Sequence, residues 1–157
     1  MIIDALNQLS NSQAVGASAV GTNVIDLTND RSIGVGEPVG VLFTVEVAAD
    51  QTSGDEDYTF DVETASDAAQ TTAVQLLGRR VFESGTPTAP AQDADLLVAG
   101  FRIFIGIPPA LLSESERYLG IRYVTAGTSP TITVSAHLLP QSFVQANVLH
   151  PDAITIS

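Results

Sequence analysis

The stretch Val39-Gly40-Val41-Leu42-Phe43-Thr44-Val45-Glu46-Val47 decides the fold class. Val39, Val41, Phe43, Val45 and Val47 fall on one side of an extended chain, with Gly40, Thr44 and Glu46 on the other. An apolar period of two is the mark of a strand with one face on a core and one face outward. The same alternation recurs on both sides of this segment. Tyr58, Phe60 and Val62 alternate with Thr59, Asp61 and Glu63. Phe101, Ile103, Ile105 and Ile107 share a face, with Arg102 opposite. Leu119, Ile121 and Tyr123 alternate around Arg122, and Ile132, Val134, Ala136 and Leu138 alternate with Thr131, Thr133, Ser135 and His137. Weaker strand patterns cover Ala14–Ser18, Asn23–Leu27 and Val74–Val81.

Turn chemistry separates these runs, at Asn29-Asp30, Gly36-Glu37-Pro38, Ser53-Gly54-Asp55, Ser84-Gly85-Thr86-Pro87 and Gly127-Thr128-Ser129-Pro130. About eight short strands spaced by turns predict an all-β protein, a sandwich or a barrel. Helical spacing is confined to Ser66–Ala73 and Ala110–Glu116, each a turn or two. Ser84–Asp95 reads as a surface loop. The ends differ from the middle: residues 1–12 mix apolar side chains with amides, and the last residues are apolar, interrupted by Pro140 and Pro151. The chain is therefore read as one β-sandwich domain over residues 1–157, with an N-terminal arm at 1–12, a sandwich at 13–139 and a C-terminal arm at 140–157. A chain of 157 residues can bury roughly 68–70% of its unfolded surface and needs no covalent staple.

Composition excludes several functions. There is no cysteine, and the six basic residues are all arginine against 18 acids, for a net charge of −12. The missing thiol removes disulfides, thiolate metal sites and thiol catalysis. The acidity opposes binding to nucleic acid or to an anionic membrane surface. The longest apolar run, Leu96–Ile107, is broken by Arg102 and is too short to cross a bilayer. Residues 1–16 have neither the basic nor the apolar region of a secretion signal, so synthesis and use without export are expected. Only His137 and His150 are available as catalytic bases, and neither lies beside a Gly-x-Ser-x-Gly turn. No His-x-His pair suggests a jelly-roll metal enzyme, and Gly34-x-Gly36 lacks the Lys of a phosphate loop. Asp50, Asp55, Glu56, Asp57, Asp61, Glu63 and Asp67 crowd one segment. Their spacing is not that of an EF-hand, and the sequence reading makes them a solvated face, with Asp61 and Glu63 pointing outward, rather than a calcium site. No catalytic, cofactor or metal residue is assigned.

Several pieces taken in order resemble one family. They are Met1-Ile2-Ile3-Asp4 followed by Ser12-Gln13-Ala14; Thr22-Asn23-Val24-Ile25-Asp26-Leu27; Gly34 and the Gly36-Glu37-Pro38 step into the long strand; Glu116-Arg117-Tyr118-Leu119 and Tyr123; Gly127-Thr128-Ser129-Pro130 leading into Thr131-Ile132-Thr133-Val134; and Pro151-Asp152-Ala153-Ile154-Thr155-Ile156-Ser157. The chain is similar to the jelly-roll cement, or decoration, proteins of tailed-bacteriophage capsids. The pieces span nearly the whole chain except residues 70–95, though none is a chemical signature by itself. The resemblance implies an antiparallel jelly-roll-like sandwich. It also implies a homotrimer on the outside of a phage head, made in the host cytoplasm, with the major capsid protein as partner and no enzymatic activity. The apolar terminal segments are then the expected trimer or capsid contacts, with Ile2, Ile3, Phe143, Leu149 and Ile154 as anchors. A virion-associated carbohydrate- or receptor-binding sandwich is the first alternative, weakened by the scarcity of aromatic residues; a hydrolase using a carboxylate pair among the many acids ranks below it.

Overall fold

The structure, a computed structural model, describes residues 5–27, 37–88, 90–108 and 117–148. Ten strands and one helix follow in order: β1 (Gln8–Val15), β2 (Ala19–Val20), β3 (Ile25–Asp26), β4 (Val39–Val47), β5 (Asp57–Ala65), β6 (Gln75–Glu83), β7 (Gln92–Asp93), β8 (Arg102–Gly106), β9 (Tyr118–Ala126), β10 (Ile132–Pro140) and α1 (Gln141–Val148). They form two sheets. The first has the order β1-β10-β4-β8, and the second β2-β9-β5-β6-β7, with β3 also on β9. Every pairing is antiparallel except the short β6–β7 contact. The chain passes from sheet to sheet in the manner of a jelly roll: β1 in the first, β2 and β3 in the second, β4 back in the first, β5 and β6 in the second, then β8, β9 and β10 in turn.

The predicted strand pattern sets what lies between the sheets. Val41, Phe43 and Val45 of β4 are fully buried and face Phe60 and Val62 of β5 and Ile121 and Tyr123 of β9 across the core. Phe60 stands at the centre of an edge-to-face aromatic cluster, 5.4 Å from Phe43, 5.8 Å from Phe82 and 5.9 Å from Tyr123 between ring centres. Such geometry opposes the positive edge of one ring to the negative face of another and adds to plain area burial. Ser10 and Tyr123 place their hydroxyls 2.7 Å apart inside this apolar surround, so each polar group is satisfied where water is absent.

The sandwich differs from the sequence reading in particular places. The two-residue strands β2, β3 and β7 raise the count above eight; they are too short to show a period. The arm expected over residues 1–12 gives way to β1 at Gln8, because Leu9 is buried and Ser10 reaches Tyr123. The C-terminal arm expected from residue 140 begins with a residue of the sheet, since Pro140 pairs with Val39, and continues as α1. Ser66–Ala73 is not a helix but a series of turns around Asp67, whose carboxylate accepts the Thr71 and Thr72 amides at 3.0 and 2.6 Å. The second helical candidate, residues 110–116, lies outside the described residues.

The largest correction concerns the acidic strand. Asp61 and Glu63 are 2% and 3% exposed, not solvated. β5 is interior to its sheet, so Asp61 lies between Arg79 of β6 and Arg122 of β9. Arg79 grips Asp61 with two hydrogen bonds of 2.7 Å. Arg122 bonds Glu63 through its Nε and donates at 2.6 Å to the carbonyl of Gln70. Gln70, itself fully buried, lies against Gly120, where even one added methyl group would come 2.8 Å from the Gln70 amide carbon. The 66–74 turns therefore lie over the outer side of the second sheet at Glu63 and Gly120.

Candidate docking face

The residues predicted to make contacts cluster at the chain ends. Ile2, Ile3, Leu149 and Ile154 lie outside the described residues. Phe143 is on α1, half-buried, and the fold gives it a setting that periodicity could not. β1 and β10 are neighbours and antiparallel, with Gln8 opposite His137. The start of β1 and the finish of β10 therefore fall at the same end of the first sheet. α1 follows β10 without a loop and is fastened to the lead-in of β4: the Gln141 amide donates to the Pro38 carbonyl at 2.8 Å, and the Ser142 hydroxyl bonds the Glu37 carboxylate.

Between these elements the outer face of the first sheet forms an open groove of about 520 Å³. Its floor is built by strand register. Leu42 lies between His137 and Phe104, and Thr44 between Ser135 and Arg102, so their side chains share the outer face. Gln8 and Asn11 of β1 line one side, Arg102 of β8 the other, and Leu139 and Phe143 the end nearest the helix. This volume is in the range of natural ligand sites, but the groove is open along its length and mixes polar with apolar lining.

Charge is divided across the groove in a definite way. Glu46 accepts hydrogen bonds from the hydroxyls of Ser12 and Ser135. Those bonds, Ser12 first, hold its carboxyl below the usual carboxylate range against a smaller opposing effect of burial. The Ser12 amide in turn donates to Ser135 Oγ at 2.8 Å. Glu46 is thus turned toward β10 and β1 and away from β8. Burial pushes the His137 imidazole below its ordinary value, with the Glu46 charge opposing. Of the described arginines, Arg79, Arg117 and Arg122 pair with Asp61, Asp26 and Glu63 at 2.7, 2.5 and 2.7 Å. Arg80 and Arg102 have no carboxylate partner among the described residues, and only Arg102 lines the groove.

The acids considered for calcium serve the loops instead. Asp55 accepts the Thr128 amide and hydroxyl at 3.0 and 2.9 Å and joins the β4–β5 connection to the β9–β10 connection. Buried Glu56 accepts the Ser53 and Asp55 amides at 2.8 and 3.1 Å. Among the described residues no group of three or more His, Asp or Glu is placed to hold a metal ion. His137 lies on the groove face with no hydroxyl nucleophile bonded to it, and His150 is outside the described residues.

A signal for the groove existed in the sequence. Leu42 and Phe104 occupy the outward positions of their strands, where polar residues are the norm for a solvated face. Gln8, Asn11 and Arg102 carried no such sign, because their convergence depends on β1, β4, β8 and β10 lying in one sheet.

Fold and face together define an antiparallel jelly-roll sandwich with an open groove on the outer face of its first sheet. The sequence pattern of the Bbp16 family matches residues 9–138, from β1 to β10. The chain belongs to the Bbp16 family. No curated protein matches the chain.

Proposed function

We propose that this protein is a capsid cement protein, a jelly-roll subunit that binds the outside of a phage head as a homotrimer and strengthens contacts between major capsid subunits. The observation that carries the reading is the open outer face of the first sheet, with the start of β1 and the finish of β10 at one end of it. A cement subunit works through contact area and extended segments, and many copies multiply a modest contact energy per site. It needs no cofactor or catalytic group. The low charged fraction, 15%, suits a surface that is covered on assembly. The terminal segments remain the proposed anchors, with Ile2, Ile3, Leu149 and Ile154 joining Phe143. Because Pro140 belongs to the sheet and α1 is fastened to Glu37 and Pro38, the informative truncation removes residues 149–157 and leaves α1 in place. That variant should stay folded and lose shell binding; binding at full affinity would refute the role given to the tail.

The test of the reading is co-sedimentation of the purified protein with expanded capsids of the cognate phage, counting copies per capsid subunit. Saturation at a ratio fixed by shell symmetry, with better heat resistance of the loaded shell, is the expected result. No binding to expanded or unexpanded shells would overturn it. A second reading, a virion-associated carbohydrate- or receptor-binding module, is favoured by one feature, the groove with its amides and arginine. A glycan array separates the two: specific glycan binding together with absence from shells would select the second.

A further inference from the structure

We infer that the groove on the first sheet takes an extended protein segment carrying an aspartate or glutamate, and that Arg102 receives its carboxylate. The inference deepens the cement reading and takes from it the partner's identity, a neighbouring chain of the capsid. In a chain of net charge −12, Arg79, Arg117 and Arg122 are paired with carboxylates; Arg80 and Arg102 have none among the described residues, and of these two only Arg102 lines the groove. Arg102 is kept apart by construction. Glu46 lies two residues along β4 from Thr44, the residue opposite Arg102, and so is its diagonal neighbour on the same face. Diagonal positions are close enough for long side chains to meet. The hydroxyls of Ser12 and Ser135 instead bond the Glu46 carboxylate, which lines the groove on its β1 and β10 side, apart from Arg102 on β8.

The rest of the lining identifies the occupant. Leu42, Leu139 and Phe143 give the groove an apolar floor and end, and Gln8 adds an amide that can bond a passing backbone. A saccharide would seek aromatic platforms, and the rings lining the groove are the His137 imidazole and Phe143, with no Trp or Tyr. An extended peptide with an acidic residue beside an apolar one matches cation, amide and floor together. The planar guanidinium can hold a carboxylate with two parallel bonds, which an ammonium cannot.

The experiment has two arms. In the first, wild type, Arg102→Glu, Arg102→Lys and Arg80→Glu are compared by co-sedimentation with expanded shells, with folding checked by circular dichroism. Arg102→Glu should weaken binding about tenfold or more, Arg102→Lys should recover part of it, and Arg80→Glu should bind as wild type. Wild-type binding by Arg102→Glu would overturn the inference and leave the cement reading standing. Absence of binding by the wild type would overturn the cement reading, and the second arm then decides the groove. There, the isotopically labelled wild type is titrated with acetyl-Leu-Glu-Leu-amide, with its Gln counterpart and with a glucuronate oligosaccharide. Saturable shifts at Arg102 Nε and the Gln8 side-chain amide with the Glu peptide alone support the inference. No shifts, equal shifts with both peptides, or shifts with the oligosaccharide alone overturn it.

Discussion

Removing Glu63 should cost more stability than removing Asp61, although both carboxylates are equally buried. The difference lies in the arginines left behind. The Arg122 side chain is 31% exposed and the Arg79 side chain 51% exposed. In Glu63→Ala, Arg122 keeps its bond to the Gln70 carbonyl but loses its counter-charge beneath the 66–74 turns. Breaking a buried pair costs about 3–5 kcal/mol, and partial exposure of Arg122 places this one near the lower end, about 3 kcal/mol. In Asp61→Ala, half-exposed Arg79 turns to water, and the loss is about 1.5 kcal/mol, that of a charge-assisted hydrogen bond screened by solvent. For a chain of this size those costs lower the melting temperature by roughly 6–12 °C and 3–6 °C. The assay is urea unfolding of both variants, of Arg122→Ala and of the Glu63→Ala/Arg122→Ala double variant. The double variant should be less destabilised than the sum of the two single ones, since it leaves no stranded charge. Equal costs for the two carboxylates, or strict additivity in the cycle, would refute the reasoning.

Other outcomes follow from single contacts. Gly120→Ala should push against Gln70 and raise amide hydrogen exchange across residues 66–74 at a cost of about 1–2 kcal/mol; unchanged exchange there would mean that the turns do not rest on Gly120. Tyr123→Phe leaves Ser10 without its 2.7 Å partner and should cost about 1–2 kcal/mol by chemical denaturation, and an unshifted midpoint would contradict this. Acid should loosen the loop end of the sandwich. The Thr128 amide and hydroxyl hold Asp55 below the usual carboxylate range. Burial pushes Glu56 up but is outweighed by backbone amides, Ser53 first, which also leave it lowered. A lowered folded value contributes stability that is present above the unfolded value and lost as pH falls through the folded one. Glu56→Gln should therefore flatten the fall in melting temperature below about pH 4, and a profile parallel to wild type would count against the assignment.

The strands that bury one face were legible because alternation reports burial directly. Val41, Phe43, Val45, Phe60, Val62 and Val134 all occupy the core that their spacing implied. The same rule misread Asp61 and Glu63. A charged residue on the outward side of a strand looks solvated until the tertiary fold covers it. Its cover comes from Gln70, and its counter-charges from Arg79 and Arg122, 18 and 59 residues along the chain from the acids they pair with. No local pattern encodes such partners. α1 was hidden for another reason: it has no acidic residue in its first turn and no basic one in its last, so the charge signals of helix ends are missing. On the groove face, Phe143 stands out in the sequence by its hydrophobicity, whereas Arg102 reads as an ordinary exposed strand residue until Glu46 is seen to be bonded to Ser12 and Ser135.

The place of β10 between β1 and β4 governs the birth of the molecule. A chain leaving the ribosome makes β1 first, yet the strand that β1 pairs with is completed only at Pro140. Until then the first sheet has a vacant lane in its middle, and Leu9, Val41 and Val45 have no Val134 and Ala136 beside them. β5 and β6, joined by a short connection, can pair early. The first sheet closes last, in one step that joins segments more than a hundred residues apart, and such closure is slow. A nascent chain of this design exposes sticky strands for most of its synthesis, and its long acidic stretch then acts as an electrostatic spacer between growing copies.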